Sequence, residues 1–593
     1  MRFFLSLVIV QMLCAFSPGA EPPVGRRLNQ LTLPDVTTGK TWSILDAGRQ
    51  AKATVVVFLS TECPVSNAYI PTLLAIQKEY HDQGVQVVAI NSNAHEDVDS
   101  LKKHAVEYGI TFPILQDAGG EIAGWFQAKR LPTAYVLDAS RTVRYRGRID
   151  DQYERSVKRP QPTHNELRDA LKAVLAGKDV AVQSTEVVGC PINLANAIKQ
   201  ASTEVTVTYS KQVSRIVQKN CQGCHRPGEV GPFQLMNYQD TVAWAGAIRE
   251  VVSEGIMPPW NADPNHGTFA NDRRLSFEDK HALLSWIDQG CPEGNKADLP
   301  EPVKYTLGWN IGEPDLVMLM NEEVKVPAQS PRGGVPYQRV LAGKPFTEDR
   351  WVRAAEVRPD NRGVVHHILV YILMPGQNVS ILGDVKNPTL LFNGLKDYPK
   401  ILAGYVPGDH FYQLPEGEAK LIPKGSQLVF EIHYTPNGKA GTDRSKLGLI
   451  FSKSKPEVIL RGDAAVNFLF KIPPGKAAHK VEAEFYFDET VLLRQMNPHM
   501  HARGKSFEYR LRTPDGKEEV LLSVPKFDFN WQLGYMLKDP KLIPKGSKII
   551  CTAYYDNSKG NPNNPDPTKR VGWGDQTWDE MMLGFFEHQN VVK

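Results

Sequence analysis

The chain has 593 residues and a mass of 66.2 kDa, so at ~150 residues per folding unit it holds about four, which excludes a single small binding module. Its 69 Lys and Arg residues balance 66 Asp and Glu residues, and the net charge of +3 gives no electrostatic reason to expect a nucleic-acid partner. A hydrophobic fraction of 41% with 46 Gly and 43 Pro predicts loop-rich folded domains with much β structure, without stable membrane insertion.

Residues 1–20 have the pattern of a secretory signal. An apolar run from Phe3 to Phe16 follows Arg2 and precedes the small residues Ser17-Pro-Gly-Ala20. At about 14 residues this run is too short to span a bilayer, so we expect cleavage near Ala20 and export to the periplasm or the exterior, with an uncleaved anchor as the alternative. The cysteines beyond this segment are too scattered for a disulfide scaffold, so each is interpreted in its own context.

A βαβ pattern extends over residues 25–178. A predicted strand at 54–59 leads through Cys63-Pro64 into a helical pattern, which places Cys63 at a helix N-terminus. There the helix dipole and the free backbone N–H groups lower a thiol pKa and favour the thiolate. A strand at 85–90, a helix at 98–108 and a strand at 130–137 continue the alternation.

This arrangement resembles the thioredoxin-like superfamily in its redoxin branch, an α/β fold, with Pro132 at the position of the family's cis-proline. The family's Cys-x-x-Cys is reduced here to Cys63 alone, because Ser66 stands at the second position. Cys190 lies in residues 179–204, which we interpret as a linker, and it could resolve a mixed disulfide or a sulfenate at Cys63. We therefore predict that Cys63 and Cys190 are catalytic; the alternative is that both are structural.

The motif Cys221-Gln-Gly-Cys224-His225 predicts covalent haem. Two thiols at this spacing form thioethers with the haem vinyl groups, and the histidine that follows ligates the iron. The surrounding unit, residues 205–292, resembles a compact class I cytochrome c, a small all-α domain with one haem c, in which helices at 213–220 and 277–289 enclose the porphyrin. Met257 is the expected sixth ligand, with Met236 and His266 as alternatives. A structural zinc site is the main alternative to haem.

After a second predicted linker at 293–304, short β-rich runs separated by Gly and Pro predict sandwiches or jelly rolls. The segment Leu421–Tyr434 recurs as Leu542–Tyr555, which predicts two similar all-β domains at 305–457 and 458–593. His433 in the first copy corresponds to Tyr554 in the second. Because the strand itself does not require histidine there, a ligand role for His433 is favoured.

His433 is one of a series of candidate metal ligands. In chain order the series is His366-His367, His433, His499-x-His501 and Met581. Adjacent strand residues diverge, so His366 and His367 can share one metal only at a strand end or a bulge. The order resembles the ascorbate-dependent type II copper monooxygenases, the family of peptidylglycine alpha-hydroxylating monooxygenase and dopamine beta-monooxygenase. That family has two jelly rolls, each of which holds one copper facing a solvent cleft.

By this resemblance one set of residues binds an electron-transfer copper, and it consists of His366, His367 and His433. The other set binds the copper that activates O₂, and it consists of His499, His501 and Met581. Imidazole suits Cu(II) and a thioether suits Cu(I). Met582 is an alternative to Met581, and His410 and His588 are candidate outer groups. Asn497 and Phe585 replace an arginine and a tyrosine with which peptidylglycine enzymes hold their substrate.

The whole sequence predicts an exported multi-domain oxidoreductase. The main interpretation is a copper monooxygenase that hydroxylates a small molecule or peptide with O₂. Haem c, ascorbate or a redox protein would supply the electrons. One alternative is a thiol peroxidase or disulfide reductase centred on Cys63. The other is a non-catalytic electron-transfer or copper-handling protein.

Overall fold

A computed structural model describes residues 24–47, 51–154, 157–159, 161–194, 206–305, 308–331, 334–382, 400–409, 411–574 and 576–591. The predicted signal segment, residues 1–20, lies outside these ranges. Among the described residues, no helix has the length and apolarity that a membrane crossing requires.

The N-terminal unit is built on a five-stranded sheet. In spatial order its strands are Ile114–Gln116, Val85–Asn91, Ala53–Phe58, Thr133–Asp138 and Val143–Gly147. The first three strands are parallel, and the last two are antiparallel to their neighbours. The central strand is buried on both faces, which explains its unbroken apolar run. The main helices of the unit are Pro64–Tyr80, Val98–Tyr108, Glu121–Phe126 and Glu166–Leu175.

The short elements of this unit are the paired strands Thr32–Pro34 and Thr41–Ser43, the helix Ile44–Ala47, the turn His81–Gln83 and the pairs Tyr153–Glu154 with Val157–Lys158 and Arg130–Leu131 with Cys190–Pro191.

The described part of the predicted linker 179–204 is not free. Arg146 forms a bridge with Ser184, and the Tyr145 and Thr185 hydroxyls lie 2.9 Å apart. Cys190 and Pro191 then form a separate two-stranded pair with Leu131 and Arg130. The described part of this segment, up to residue 194, is therefore an outer layer of the N-terminal unit. Its backbone groups form hydrogen bonds with groups of that unit.

A helical unit follows. Its elements are the turn Tyr209–Val213 and the helices Ser214–Asn220, Tyr238–Ala243, Ala245–Ser253 and Phe277–Asp288. Trp244, Leu283 and Trp286 are among the buried residues of its core. The two helices that the sequence predicts here are present, and the remaining two lie between them.

The predicted boundaries of this helical unit differ from the packing. Trp260 and Phe269 are buried in the core of the C-terminal β unit, and Phe269 bridges to Leu537. The predicted linker 293–304 instead lies along the first helix, since the Arg215 guanidinium donates to the Asp298 carbonyl (3.0 Å) and a short turn spans Lys296–Asp298. Apolar side chains after Met257 are thus buried in the larger core of the C-terminal β unit. Residues 205–292 are therefore not a self-contained compact domain.

The C-terminal half is β-rich. Its first four-stranded sheet has the order Gln338–Ala342, Gln427–Tyr434, Val365–Leu373, Lys400–Tyr405. The second has the order His479–Tyr486, Lys548–Tyr555, Gly504–Arg512, Glu518–Val524. Both contain one copy of the internal repeat in the same place, the second strand.

A third, nine-stranded sheet runs through both β units. Its strands in order are Leu316–Leu319, Lys446–Phe451, Arg350–Arg358, Glu418–Ile422, Val458–Val466, Leu583–Asn590, Val491–His499 and Tyr535–Ile543, with Phe411–Gln413 beside Arg350–Arg358. Minor pairs are Val324–Val326 with Gly441–Asp443 and Lys471–Ile472 with Val571–Gly572, and a short turn spans Val379–Leu382. Glu418–Ile422 pairs in parallel with Val458–Val466. The two β units are therefore joined by backbone hydrogen bonds rather than standing as separate rolls.

Candidate functional site

Cys63 occupies the N-cap of the helix Pro64–Tyr80, at the end of the central strand. Its sulfur accepts the Ser66 N–H at 3.5 Å, and its thiol lies 3.7 Å from the Leu131 carbonyl oxygen. The side chain has no exposed surface. The Leu131–Pro132 peptide bond is cis, as the resemblance implies. Cys63 is therefore held at the helix N-terminus that the sequence predicts.

Cys190 lies directly beside Cys63, because it stands opposite Leu131 in the short antiparallel pair. Burial would raise the pKa of the Cys63 thiol. Hydrogen bonds from the Cys190 thiol and from the Ser66 hydroxyl and N–H outweigh burial and hold that pKa at about 7. The two thiols thus form one redox-capable group, in which Cys63 is a substantial fraction thiolate at neutral pH.

The buried carboxylate of Glu96, which no sequence motif indicated, holds the loop before Cys63 in place. Glu96 accepts hydrogen bonds from the Ser60 hydroxyl (2.5 Å), the Thr61 N–H (2.8 Å) and the Asn93 amide (2.6 Å). Beside it, the His95 imidazole lies 3.1 Å from the Glu62 carboxylate. These contacts fix the strand-to-helix turn that presents Cys63.

The Cys221-x-x-Cys224-His225 motif begins where the helix Ser214–Asn220 ends. The His225 N–H donates to the Cys221 carbonyl (2.9 Å), and His225 Nδ1 bonds the Phe233 carbonyl (3.1 Å). This second bond fixes the ring and directs Nε2 away from the loop. Burial lowers the pKa of His225 and raises that of Cys221 to about 12. Two protonated thiols and one neutral, oriented imidazole are a donor set that fits haem c.

The motif faces the first β unit. A Cβ at Gly408 would lie 3.3 Å from Cys224 Sγ, and Glu229, four residues after His225, bonds Arg362, four residues before His366. The segment that contains the predicted haem motif is therefore in contact with the loop that leads into the strand Val365–Leu373. Met257 is half-buried and follows the helix Ala245–Ser253.

His366, His367 and His433 form a cluster. The strand Val365–Leu373 has a register irregularity between Val365 and His367, and His367 stands opposite His433. One ligand nitrogen from each of the three histidines lies within 4.8 Å of the others, and Nδ1 of His366 lies 3.0 Å from Nδ1 of His367. Two nitrogens ~2.0 Å from a common ion, at 90–110°, would lie ~2.8–3.3 Å apart. Adjacent strand residues can share one metal ion only at a strand end or a bulge, and the register irregularity at His366 and His367 meets that condition. The three imidazoles are a donor set that fits one metal ion.

His499 and His501 form a second group at the end of the strand Val491–His499, with ring centroids 5.3 Å apart. His499 Nδ1 lies 2.5 Å from the side-chain amide oxygen (Oε1) of Gln532, and His501 Nδ1 lies 3.3 Å from the backbone carbonyl oxygen of Asp579. The Nε2 atom of His501 is buried, and within the described ranges it has no hydrogen-bond partner. Burial lowers the pKa of His499 to about 4 and that of His501 to about 3, so both rings are neutral, as metal ligands must be.

The two histidine groups meet at one point instead of facing each other across a solvent cleft. The ring centroids of His367 and His499 are 6.5 Å apart. Phe529 stacks on His366 at 5.1 Å and lies 6.0 Å from His501. The expectation of two separated copper sites therefore differs from the observed packing, because the shared sheet holds both units together.

Met581 and Met582 occupy different environments. Met582 belongs to the core of the second β unit, whereas Met581 is half-buried. The buried Glu580 carboxylate accepts the N–H groups of His501 (2.9 Å) and Arg503 (2.6 Å), which keeps this segment beside His501. Of the two methionines, only Met581 remains a candidate ligand.

The two candidate outer histidines contribute less. His588 bonds Asp463 at 2.9 Å, in the sheet rather than in either group. His410 lies outside the described residues.

A cavity of about 430 Å³ opens beside His367 and His499. Its lysines are paired with carboxylates: Lys400 with Asp463 at 2.6 Å and Lys420 with Glu587 at 2.5 Å. Asn497 and Phe585 also line it. Three further side chains surround the histidines: Phe529, Gln532 and Tyr337. The Tyr337 hydroxyl lies 3.1 Å from His367 Nε2. No spacing in the sequence signalled these three residues.

Comparison with known proteins bears on the N-terminal unit. Residues 24–146 match the AhpC/TSA family. The thiol-disulfide oxidoreductase ResA of Halalkalibacterium halodurans is 28% identical over 89 residues, which are 15% of this chain and 49% of the relative. The thioredoxin-like protein YneN of Bacillus subtilis is 33% identical over 102 residues, 17% of this chain and 58% of the relative.

Among solved structures, a hypothetical protein from Sinorhizobium meliloti 1021 is 30% identical, with 30% of this chain and 98% of that one covered and a TM-score of 0.28. The chain spans about half the length of the first curated relatives that it matches. The N-terminal unit thus matches a redoxin family model over residues 24–146 and has a thioredoxin-like α/β fold, and a large β-rich region lies toward the C-terminus.

Proposed function

We propose that Cys63 and Cys190 are a thiol–disulfide redox couple. The observation that carries this proposal is the strand pairing that sets Cys190 opposite Leu131, against a Cys63 thiol whose pKa is about 7. A thiolate at the N-terminus of a helix is the form that attacks a disulfide sulfur. The curated relatives named thiol-disulfide oxidoreductase support the same reaction class.

The reaction balances within the two cysteines and a substrate disulfide. The Cys63 thiolate attacks one sulfur, forms a mixed disulfide and expels the other sulfur as a thiolate. The Cys190 thiol then gives its proton to the expelled substrate thiolate and attacks Cys63 Sγ, which forms the Cys63–Cys190 disulfide and releases the second substrate thiolate. Cys63 and Cys190 together lose two electrons, and the substrate disulfide gains two.

Replacing Cys63 with serine should abolish disulfide reduction by the chain. Replacing Cys190 with serine should leave Cys63 able to form the mixed disulfide but unable to release it. Stopped-flow assay of a chromogenic aryl disulfide and intact-mass analysis measure the two effects. Cys551→Ser is the matched control, since Cys551 is buried in the second β unit. A Cys63→Ser variant that turns over like wild type would contradict the couple.

We further propose that the histidine groups hold copper and make the β region a monooxygenase, the main interpretation from sequence. The specific observation is that His366, His367 and His433 offer three imidazole nitrogens to one point. His499, His501 and Met581 would hold a second ion. Copper bound there supplies oxidation of substrate by O₂. The two lysines that line the cavity beside His367 and His499 are paired with carboxylates, which favours an uncharged small molecule or peptide segment as substrate.

We propose that Cys221, Cys224 and His225 hold haem c, with Met257 as sixth ligand. The denatured wild-type protein should then retain one haem, and Cys221→Ala combined with Cys224→Ala should retain none. A pyridine haemochrome spectrum after acid-acetone extraction measures this, with Cys291→Ala as the control that keeps haem. Haem that extracts equally from wild type and the double variant would contradict covalent attachment.

Export completes the proposed function. The apolar segment before residue 20 supports it, and an extracytoplasmic compartment suits covalent haem attachment. Ascorbate or a redox protein would serve as electron donor and the haem as a relay, because Glu229, just after the haem motif, bonds Arg362 in the loop that leads into the strand with His366.

A further inference from the structure

Residues 189–194 lie over Cys63 as an added strand. Cys190 and Pro191 pair with Leu131 and Arg130, and the Ile192 N–H donates to the Lys129 carbonyl at 3.0 Å. Both backbone groups of Asn193 are also bonded: its N–H donates to the Asn93 side chain (2.9 Å), and its carbonyl accepts the Ala94 N–H (2.9 Å). The strand is therefore docked along its length and not only at the cysteine.

The approach at Gly189 is too close for any side chain. A Cβ at Gly189 would lie 2.0 Å from the Leu131 carbonyl oxygen. The Arg130 guanidinium donates to the Gly189 carbonyl at 2.8 Å, which closes this end of the strand. At the other end, Leu194 packs on Gly120, where a Cβ would lie 2.7 Å from its side chain. Absence of a side chain before Cys190 is thus a condition of docking.

The strand also seals the nucleophile. Cys63 is completely buried, and Ile192, Leu194 and Cys190 pack against the apolar cluster that contains it. An external disulfide must reach Cys63 Sγ in line with the bond that breaks. It therefore cannot react while residues 189–194 are docked.

Building on the proposed thiol couple, we propose that residues 189–194 are a tethered substrate strand that gates Cys63. Docked, the strand delivers Cys190 to Cys63. Released, it opens a groove along Lys129–Leu131 that takes an extended cysteine-containing peptide with glycine before its cysteine. Edge pairing of this kind gives affinity through the main chain, and the glycine requirement gives selectivity.

Gly189→Ala tests the gate, because its added methyl group must lift residues 189–194 from Leu131 while the chain keeps both cysteines. Cys63 in the reduced full-length protein should react with N-ethylmaleimide about tenfold faster or more than in wild type, since labelling follows the open population. Peptide mass spectrometry measures labelling at Cys63. Gly124→Ala is the matched control, because nothing lies within 4 Å of that Cβ position, and it should label like wild type.

Equal labelling of Cys63 in Gly189→Ala and wild type would overturn the gate. Failure of the couple has a separate sign: oxidised wild type would then contain no Cys63–Cys190 disulfide, whatever the labelling rates. Circular dichroism identifies an unfolded Gly189→Ala variant.

A peptide measurement keeps the proposal testable even if Gly189→Ala does not fold. Two synthetic peptides carry a thionitrobenzoate disulfide: one copies residues 187–193, and the other has valine for glycine. With the Cys190→Ser variant, the first should release thionitrobenzoate about tenfold faster or more, because only glycine fits beside Leu131. Equal rates for the two peptides would overturn the groove.

Discussion

Replacing His366 and His433 together with alanine should lower the copper content of the purified chain from two ions to close to one. The double variant leaves a single imidazole of the first group, His367, whose Nδ1 faces His366. Loss of an outer-shell partner alone weakens a metal site by about 10–100-fold, so loss of two direct ligands should empty this one. The second group, His499, His501 and Met581, is unchanged. Inductively coupled plasma mass spectrometry after dialysis counts the ions.

His479→Ala is the control for this experiment, since His479 starts a strand of the second β unit and contributes to neither group. It should retain two ions. Copper content that stays at two in the double variant would remove the first group as a site, and a wild type without copper would remove both. In either case the β region would be better described as a scaffold, and the redoxin couple would be the chain's remaining proposed activity.

The features that the sequence predicts well are those carried by local patterns. A buried strand followed at once by a helix is a pattern of about 25 residues, and it places Cys63 at the helix N-cap. The condition on His366 and His367 follows from side-chain alternation, and the structure meets it with a register irregularity. The repeat places Gln427–Tyr434 and Lys548–Tyr555 at equivalent positions because each copy has the same turn and alternation.

The features that the sequence does not predict are those carried by pairings between distant segments. Glu418–Ile422 joins Val458–Val466 in parallel, a pairing that neither strand's own pattern signals. The 6.5 Å separation of His367 and His499 follows from that shared sheet and not from any spacing. Phe529 and Gln532 lie in an irregular loop, where no periodicity marks a residue.

The misread linker has a similar cause. Residues 179–204 contain no long apolar run, so in sequence they resemble a connection between domains. Gly189, Cys190 and Pro191 nevertheless form an edge strand, because the Arg130–Leu131 backbone offers partners that only the folded unit creates.

The Cys63 thiol should ionise at a pH of about 7 in the reduced protein, and Cys190→Ala should shift that ionisation upward by about one pH unit or more. The shift has this sign because the Cys63 thiolate loses the hydrogen bond from the Cys190 thiol, which lowers the pKa of Cys63. Thiolate absorbance at 240 nm, taken as the difference from Cys63→Ser, follows the ionisation. Cys291→Ala is the matched control: Cys291 also lies between glycine and proline, but burial raises its pKa to about 12.

The same ionisation should appear in the unfolding free energy. A free cysteine has a pKa of ~8.5, so the folded chain binds fewer protons than the unfolded chain between pH 7 and that value. The stabilisation is therefore complete above pH ~8.5, amounts to about 2 kcal/mol, and is lost as the pH falls through 7. Urea unfolding of wild type and Cys63→Ser at pH 6 and pH 9 isolates this contribution: the gain in unfolding free energy from pH 6 to pH 9 should be about 2 kcal/mol larger in wild type. An identical pH dependence in the two proteins would mean that Cys63 ionises like a free thiol, and the chemical basis of the couple would be removed.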